Sequence, residues 1–501
     1  MTAEPSPRPV STTEHILPLD SGPLPYRATA GWQRLAERDR PVADMFYVAY
    51  MAEVKAGRSL TFIFNGGPGA ASAYLHMGAL GPKRIQFGPQ GRLPPSPVEL
   101  VDNLESWLSF TDLVFVDPIG TGFSRSLPVD EPHAPGSGTD GATSRTSPQS
   151  TSGKPADPPK ESQFWEVERD LNALGEFIQR FLSAHGRWLS PIFIAGESYG
   201  GFRAARLARS LQQDFGIGLS GTILISPALE FSLLAGSDYN LLPWATVLPS
   251  MAAAAAHHGQ AAWVHGAGDY GGQMAAAEAF TYGQLMPTLA LGKAGSAAAR
   301  QAMFQGLADL TGLPYALVER HGGRLSASLL ARELLRDRQQ IVGLYDATLT
   351  AVDPFPDRDP YQGSDPTLDG IGRLFAGAIN SHLRTALGVE TDLIYELLNF
   401  ETFKAWEFKL DHEFKQGYLG SMDDLRIGMT LNPHMGVYIT HGWFDLVTPY
   451  FASNYLVEQL RLPENIRANL TLKHFAGGHM FYTWDSSRQE WFGEMRALYQ
   501  S

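Results

Sequence analysis

Short, continuous apolar runs alternate with glycine-rich turns over the first half of the chain. The runs are LTFIF (60–64), DLVFV (112–116), PIFIAG (191–196) and GTILISP (221–227), whereas MFYVAYMAEV from Met45 alternates imperfectly and is also a strand signal. Runs of this length, bounded by glycine and proline, are typical of strands buried on both faces of a mostly parallel sheet. Two later runs, GVYITHG (436–442) and LTLKHF (470–475), predict that the sheet resumes near the end of the chain.

Helical spacing separates several of these runs. Apolar side chains occupy positions 164, 167, 171, 174, 177, 178 and 181, and FRAARLARSLQQDF (202–215) is also amphipathic. The order strand, glycine loop, helix repeats from residue 45 to 228. This repeat predicts an α/β fold, with helices on both faces of a mostly parallel central sheet.

Residues 230–430 carry a different pattern, dominated by alanine-rich and amphipathic helical stretches such as 250–263 and 325–347. We therefore predict three segments: a first part of the core (1–229), a largely helical cap (230–430) and a last part of the core (431–501). Within the first segment, residues 130–162 are mostly Pro, Gly, Ser and Thr. That composition predicts a flexible surface insertion.

Composition narrows the function classes. The 501 residues carry a net charge of -13, which argues against a nucleic-acid partner, and contain no cysteine, which excludes disulfides and thiolate metal sites. No metal-binding or cofactor motif is present, so we expect neither a metal nor a cofactor.

No apolar run approaches the ~20 residues that span a bilayer, so we expect no membrane partner. The first residues lack a secretory pattern, which predicts a cytoplasmic location, or a periplasmic or secreted one if a leader was removed. The oligomeric state stays open.

The loop after the run at 191–196 contains a candidate nucleophile. Gly196-Glu197-Ser198-Tyr199-Gly200 matches the G-x-S-x-G pattern of a tight strand-to-helix turn that exposes a serine hydroxyl. The motif alone is weak in a chain with 51 glycines. Its position between an apolar run and a helical pattern strengthens it, because the turn requires that context.

A serine hydroxyl needs a base and a group that orients the base, and in this fold type both follow the serine along the chain. Asp445 and His479 lie in loops after the last two apolar runs. His441 and His474 are alternatives, but both fall within those runs, where a structural histidine is the favoured interpretation. We predict a triad of Ser198, His479 and Asp445.

Two further loops bear on the chemistry. The backbone N–H of Tyr199 is the expected first donor to an oxyanion, and NGGPG (65–69) is the candidate source of the second, because its glycines allow close approach to a ligand. A plain turn is the alternative interpretation of NGGPG. The loop at 120–122 lacks the residues of a phosphate-binding motif. His257 and His258 are expected to face solvent or to cap a helix.

Seven blocks in this order resemble the serine carboxypeptidase family, the S10 peptidases of the α/β-hydrolase fold, as a bacterial-type member. They are FNGGPGAAS, LGPKRI, DLVFVDPIGTGFSRS, FIAGESYGG, ISPALE, HGWFDLVTP and GGHMFYTWD. The resemblance spans residues 60–230 and 436–487 and is loose between them. It implies a nucleophile at Ser198, an orienting acid at Asp445 and a general base at His479, with Gly67 and Tyr199 as oxyanion donors.

The same resemblance implies that Asn65 and Glu197 bind the C-terminal carboxylate of a substrate. Such a pair of carboxyl groups favours mildly acidic pH, because one group must hold a proton. The family usually has tryptophan where this chain has Ile63, and a second glutamate where it has Ala79. Without the second glutamate, we expect a smaller pKa rise for Glu197 and looser recognition of the carboxylate. A structural ion pair of Glu197 with an arginine is the alternative.

Three functional hypotheses follow. The first is a serine carboxypeptidase that hydrolyses C-terminal peptide bonds through an acyl-enzyme on Ser198. The second is an acyltransferase or esterase with the same acyl-enzyme, and the third is a binding protein without catalysis. The third would require a damaged triad or oxyanion loop, and the sequence has neither. The expected partner is a peptide or a small acyl substrate.

Overall fold

The computed structural model describes residues 8–53, 57–127, 163–261, 270–359, 361, 363–408 and 419–500. The predicted insertion at 130–162 lies outside these residues. The strands in the described part of the chain are β1 (Ser11–Leu19), β2 (Gly22–Glu37), β3 (Arg40–Ala52), β4 (Ser59–Phe64), β5 (Lys83–Ile85), β6 (Leu100–Asp102), β7 (Thr111–Val116), β8 (Arg125–Ser126), β9 (Ile192–Glu197), β10 (Gly221–Ile225), β11 (Gln340–Val342), β12 (Thr350–Val352), β13 (Gly436–Gly442) and β14 (Leu470–Phe475).

One large sheet forms the centre of the molecule. Its strand order is β1-β2-β3-β7-β4-β9-β10-β13-β14, with β8 paired to β3. The strands from β7 to β14 along this order are parallel, whereas β1, β2 and β3 add an antiparallel edge. This order, with a helix after most parallel strands, is that of the α/β-hydrolase fold. The predicted fold class is confirmed.

Helices cover both faces of the sheet. They are α1 (Ala73–Leu75), α2 (Val167–His185), α3 (Tyr199–Gln213), α4 (Leu242–Thr246), α5 (Leu248–His257), α6 (Tyr270–Phe280), α7 (Met286–Leu291), α8 (Ala297–Thr311), α9 (Tyr315–Arg320), α10 (Ala327–Glu333), α11 (Leu368–Ser381), α12 (Phe400–Ala405), α13 (Met422–Leu431), α14 (Tyr450–Glu458), α15 (Glu464–Arg467) and α16 (Asp485–Leu498). Side chains of α2, α3 and α13 pack on one face, and those of α1, α11 and α16 on the other. None of the described helices is long and apolar enough to cross a bilayer.

The apolar runs predict the parallel strands closely. The strands β4, β7, β9, β10, β13 and β14 coincide with the predicted runs to within one or two residues. The seven apolar positions from Phe164 to Phe181 are all buried, although α2 begins only at Val167. The helix α3 begins at Tyr199, directly after Ser198, instead of at residue 202.

The segment 230–430 is rich in helices, and these helices belong to two separate apolar clusters. The helices from α4 to α10 share an apolar cluster with residues of the loop and helix after β13, including Phe444 and Phe451. In contrast, α11 packs with the residues of the central sheet through Ile371, Leu374 and Phe375. The segment boundaries at 230 and 430 stay a prediction.

One local prediction in this segment is wrong, and another holds only in part. The stretch 325–347 is not helical throughout, because Gln340–Val342 forms β11, which pairs with β12 in a short hairpin. A left-handed residue, Gln339 (φ 54°), ends the preceding turn and redirects the chain. His257 and His258 are half-buried rather than solvent-facing, but the capping alternative holds for His258, which is the C-cap of α5. The His258 ring lies 2.7 Å from the carbonyl oxygen of Ala347, and the His257 ring packs against Phe444.

Candidate active site

The candidate residues all lie in loops or strand ends at the carboxyl edge of the parallel strands. Asn65 follows β4, Ser198 follows β9, Asp445 follows β13 and His479 follows β14. Parallel strands bring their carboxyl ends to one edge of a sheet, which is where open α/β sheets bind ligands. The structure therefore brings the sequence-predicted residues together.

Ser198 occupies the strained turn that the G-x-S-x-G motif predicts. Its backbone has φ 61° and ψ -124°, a region that side-chain-bearing residues rarely adopt. Both glycines are required by close backbone contacts. A Cβ on Gly196 would lie 1.9 Å from the carbonyl oxygen of Gly200, and a Cβ on Gly200 would lie 2.6 Å from that of Phe64. The turn thus forms only with these glycines, and it leaves the Ser198 side chain partly exposed.

The loop after β4 lies directly against this turn. A Cβ on Gly66 would lie 2.4 Å from the backbone nitrogen of Tyr199, which places the two backbones in contact. Within the described part of the chain, the N–H groups of Gly67 and Tyr199 have no hydrogen-bond acceptor. Both residues flank the Ser198 turn, so these two donors are available to a developing oxyanion.

Arg203 anchors the loop after β4 through hydrogen bonds to its backbone. The guanidinium of Arg203 is buried, pairs with Asp170 through Nε (2.6 Å) and Nη2 (3.2 Å), and donates from Nη1 to the carbonyl oxygens of Asn65 (2.8 Å) and Gly66 (3.4 Å). In a trans peptide the N–H points opposite to the C=O. Anchoring the Gly66 carbonyl on Arg203 therefore directs the Gly67 N–H away from the arginine. Arg203 sits on α3, five residues after Ser198, so it ties the loop to the turn.

Asp445 is fully buried and orients His479. Its Oδ2 lies 2.7 Å from His479 Nδ1 and accepts from the hydroxyl of Thr448 at 2.7 Å, while its Oδ1 accepts from the backbone N–H groups of Val447 (2.8 Å) and Thr448 (3.0 Å). The carboxylate thus has donors on both oxygens. A proton on His479 Nδ1 leaves Nε2 free to act as a base.

The backbone and ring of His479 are also fixed. Its N–H donates to the carbonyl oxygen of Tyr345 at 2.5 Å, and the Tyr345 ring packs edge-on against the imidazole at 5.2 Å. Burial lowers the pKa of His479, but the charge of Asp445, the hydrogen bond with Asp445 and the charge of Glu197 together outweigh burial and raise the pKa above its usual value. The imidazolium is therefore stabilised by the two carboxylates.

The alternative histidines serve other contacts. His441 Nε2 lies 2.7 Å from the hydroxyl of Ser453, and its Nδ1 lies 3.1 Å from the carbonyl oxygen of Thr448. His474 Nε2 lies 2.8 Å from the amide oxygen of Asn454. Neither residue lines the cleft that contains Ser198. Their geometry fits the structural role that the sequence favours.

Glu197 is buried, and both of its oxygens accept hydrogen bonds. Oε2 accepts from Asn65 Nδ2, and Oε1 accepts from the Tyr482 hydroxyl at 2.8 Å. The amide orientation of Asn65 is set by the N–H of Leu75, which can only donate and lies 3.0 Å from Oδ1. Neither of these partners is the arginine of the alternative interpretation. Arg203, which is close by, pairs with Asp170.

Burial raises the pKa of Glu197 to about 7. The positive charge of His479 and the hydrogen bonds from Tyr482 and Asn65 lower this pKa in part, and the charge of Asp445 adds to the rise. The rise persists although Ala79 supplies no second carboxyl group. Glu197 therefore changes its protonation state near neutral pH.

Three further residues belong to the site and were not predicted from the sequence. Tyr482 contacts Glu197, Thr448 contacts both Asp445 and His479 (3.0 Å to Nδ1), and Tyr345 packs on His479. Tyr482 and Thr448 fall within the blocks GGHMFYTWD and HGWFDLVTP, which was the available signal. Tyr345 lies in the segment that was predicted to be helical, and no local pattern marked it.

A single cleft joins these groups. Asn65, Gly67, Glu197, Ser198 and His479 line its floor. Its apolar wall comprises Ala70, Tyr74, Leu368, Ile371, Leu398 and Met480. None of the described residues that line the cleft is a lysine or an arginine.

In sequence, the chain is similar to serine carboxypeptidases and serine carboxypeptidase-like proteins. Serine carboxypeptidase-like 13 of Arabidopsis thaliana is 27% identical over 220 residues, which are 43% of this chain and 43% of the relative. Serine carboxypeptidase-like 8 of the same plant is 26% identical over 201 residues (40% of this chain, 38% of the relative). Serine carboxypeptidase ctsa-3.2 of Caenorhabditis elegans is 29% identical over 203 residues (38% and 31%). The chain matches less than half the length of each of these relatives.

Among solved structures, a proline iminopeptidase from Mycobacterium smegmatis aligns with a TM-score of 0.37 at 11% identity, over 94% of this chain and 98% of that one. A score at this level adds nothing to the strand order as evidence of fold. The family comparison is more specific, because residues 18–229 match the serine carboxypeptidase family. That match contains the Asn65 loop and the Ser198 turn. Over this part of its length, the chain is similar to the serine carboxypeptidases.

Proposed function

We propose that the protein is a serine carboxypeptidase that removes the last residue of a peptide through an acyl-enzyme on Ser198. The observation that carries the proposal is the content of one cleft. Ser198, His479 and the carboxyl-binding candidates Asn65 and Glu197 line it together, and Asp445 supports His479 from behind. The cleft thus combines an acylation site with groups suited to a carboxyl group one residue away.

The proposed reaction has two steps. The Ser198 hydroxyl attacks the last peptide carbonyl while His479 Nε2 takes the hydroxyl proton, and the Gly67 and Tyr199 N–H groups stabilise the oxyanion. The imidazolium then gives its proton to the leaving amine, which departs as the free amino acid. In the second step His479 takes a proton from water, the hydroxide attacks the acyl ester, and Ser198 recovers its proton.

Glu197 and Asn65 are proposed to read the substrate carboxylate. Protonated Glu197 can donate its proton to that carboxylate, and Asn65 Nδ2 has a second hydrogen available beside the one donated to Glu197. Ionised Glu197 would repel the carboxylate instead. Because burial raises the pKa of Glu197 to about 7, we expect binding to weaken as the pH rises through neutrality.

The apolar wall supports a preference for apolar side chains. Ile371 and Leu368 come from the start of α11, and Leu398 pairs through its backbone with Ala70. Burying an apolar substrate side chain against them would contribute roughly 1.5–3 kcal/mol to binding. We propose peptides, or small acyl compounds, that carry such a group as substrates.

Release of free amino acids from a panel of N-blocked dipeptides tests the proposal. We expect release by the wild-type protein, covalent labelling of Ser198 by a fluorophosphonate, and loss of both in Ser198→Ala. Labelling without any amino acid release, together with cleavage of simple esters, would contradict the peptidase and favour an esterase. Transfer of the acyl group to an added alcohol or amine would instead favour an acyltransferase.

A further inference from the structure

Tyr482 makes a contact with Glu197 that the proposed function does not yet use. Its hydroxyl donates to Glu197 Oε1 at 2.8 Å, while Asn65 donates to the other oxygen. Burial, together with Glu197, raises the pKa of Tyr482 well above its usual range. The phenol therefore keeps its proton and remains a donor at every pH at which the protein would work.

Packing leaves the Tyr482 ring little freedom. The side chain is fully buried and stacks on Trp491 (ring centroids 6.0 Å apart, 22° between planes). A Cβ on Gly78 would lie 2.8 Å from the edge of the ring, so the absence of a side chain at that position makes room for it. The absence of a side chain at Gly78 thus lets the Tyr482 ring reach the Glu197 carboxyl group.

Tyr482 also connects two parts of the site. It follows His479 by three residues, in the turn after β14, whereas Glu197 ends β9. The hydrogen bond thus fixes the carboxyl group that precedes Ser198 to the loop that carries the candidate base.

The other ionisable groups around Glu197 act in both directions. His479 favours its anion, Asp445 disfavours it, and Tyr74 faces it across the cleft. Asn65 is neutral. The lining residues described in the structure include no lysine or arginine. The groups that donate hydrogen bonds to the two carboxyl oxygens of Glu197 are neutral, namely the Tyr482 hydroxyl and the Asn65 amide.

We propose that Tyr482 is a positioning residue that stabilises the Glu197 anion and thereby sets the upper pH limit at which the cleft binds a substrate carboxylate. The inference rests on the proposed function. In Tyr482→Phe the ring and its stacking remain, but the anion loses one donor. A hydrogen bond to a charged group is strong enough to move the alkaline limb of binding upward by about one pH unit.

The test compares KM and kcat from pH 5 to 9 for an N-blocked dipeptide and for its C-terminal amide, which has no carboxylate. Tyr438→Phe is the matched control, because Tyr438 is buried in β13 and its hydroxyl has no hydrogen-bond partner in the described part of the chain. We expect the rise in KM to shift to higher pH only in Tyr482→Phe and only with the free carboxylate. An unchanged limb, or an equal shift with both substrates, would overturn the inference.

A second measurement separates this inference from the proposed function. Infrared titration follows the protonated carboxyl band that disappears in Glu197→Gln, and it needs no turnover. We expect Tyr482→Phe to retain this band to a pH about one unit higher than the wild type does. If the wild type releases no amino acid, the proposed function fails, and so does the substrate role of Tyr482. The infrared titration then still decides whether Tyr482 stabilises the Glu197 anion, and an unmoved band would refute that.

Discussion

Close backbone contacts at three glycines determine the geometry around Ser198. The backbones of Gly66, Gly196 and Gly200 lie so close to their neighbours that no Cβ fits at any of the three positions. Ser198 itself holds a positive φ that a side chain disfavours, and contacts on both sides of the turn keep it there. Asp445 and Thr448 similarly leave His479 one orientation. At this scale the site is defined by backbone contacts that leave no room for a Cβ and by the hydrogen bonds that orient His479.

The close approach at Gly66 makes a specific prediction. In Gly66→Ala the new Cβ would meet the backbone nitrogens of Tyr199 and Gly200 within 2.7 Å, so the loop must move away from the Ser198 turn. We expect kcat to fall about 100-fold or more as an oxyanion donor is displaced. Gly372→Ala is the control, since a Cβ there meets no described atom within 4 Å. Full activity in Gly66→Ala would argue against an oxyanion role for this loop.

Asp445 gives a second prediction at the residue scale. Asp445→Asn keeps the size of the side chain but can leave an amide donor facing His479 Nδ1, which favours the wrong tautomer. We expect kcat to fall by about 10⁴, with little change in KM. The rate is measured on the dipeptide that the wild type cleaves best. An equal loss from Asn454→Asp, beside the structural His474, would show that the effect is not specific to His479.

At the scale of elements, the site depends on how the loop after β4 is attached to α3. The buried Arg203–Asp170 pair and the two carbonyl contacts of Arg203 join the loop, α2 and α3. The guanidinium also lies over the ring of Tyr199, 4.9 Å from its centre. A planar group with several donors is needed for these contacts, and lysine does not supply one.

We therefore expect Arg203→Lys to lower kcat, and Arg203→Ala to destabilise the protein by about 3–5 kcal/mol, because Asp170 would remain buried without its partner. Chemical denaturation measures the second effect. The control is Arg206→Ala on the same helix, whose pairs with Glu168 and Asp424 are nearer the surface and are each worth at most ~1 kcal/mol. Equal destabilisation by the two alanine variants would contradict this view of Arg203.

The elements also show what could be predicted from the sequence. The parallel strands were predictable because burial on both faces makes each one a continuous apolar run, as in Phe62–Phe64 or Ile192–Ala195. The strands β1 and β2 were not singled out, since their exposed and buried positions alternate and include several polar residues and prolines. The short strand at Ile341 was masked by a helical pattern around it.

The site was predictable where chemistry and chain order coincide. Ser198, Asp445 and His479 each follow an apolar run, and a nucleophile, an acid and a base are expected in that order. Tyr482 was not predictable, because its contact depends on the space beside Gly78 and on the packing of Trp491. Such a contact has no periodicity and no fixed spacing along the chain.

On the scale of the whole molecule, several histidines are buried away from the cleft. The Tyr50 hydroxyl lies between His76 Nε2 (2.7 Å) and His382 Nε2 (2.8 Å), and it links β3 to two segments on one face of the sheet. Burial, with added repulsion from His15 and Lys83, lowers the pKa of His382 to about 4. Burial likewise lowers the pKa of His474 to about 3. These groups favour the folded state only while they are neutral.

The sign of the pH effect follows from these shifts. The unfolded chain takes up a proton at His382 below pH 6.5, whereas the folded chain does so only near pH 4. The free energy of unfolding therefore decreases as the pH is lowered from 6.5 to 4. Relative to wild type, His382→Gln should recover up to about 3 kcal/mol of this loss at pH 4. Urea unfolding at pH 7 and at pH 4 measures it. The exposed His434→Gln is the control, and the same gain in both variants would refute the assignment.

The central claim is that the cleft combines an acylating serine with recognition of a carboxylate. The most direct test is the ratio of kcat/KM for an N-blocked dipeptide to kcat/KM for its C-terminal amide, measured from pH 5 to 8. We predict a ratio well above one at pH 5 that falls about tenfold per pH unit above pH 7, as Glu197 ionises. Glu197→Gln should remove this pH dependence. A ratio near one at every pH would contradict the account.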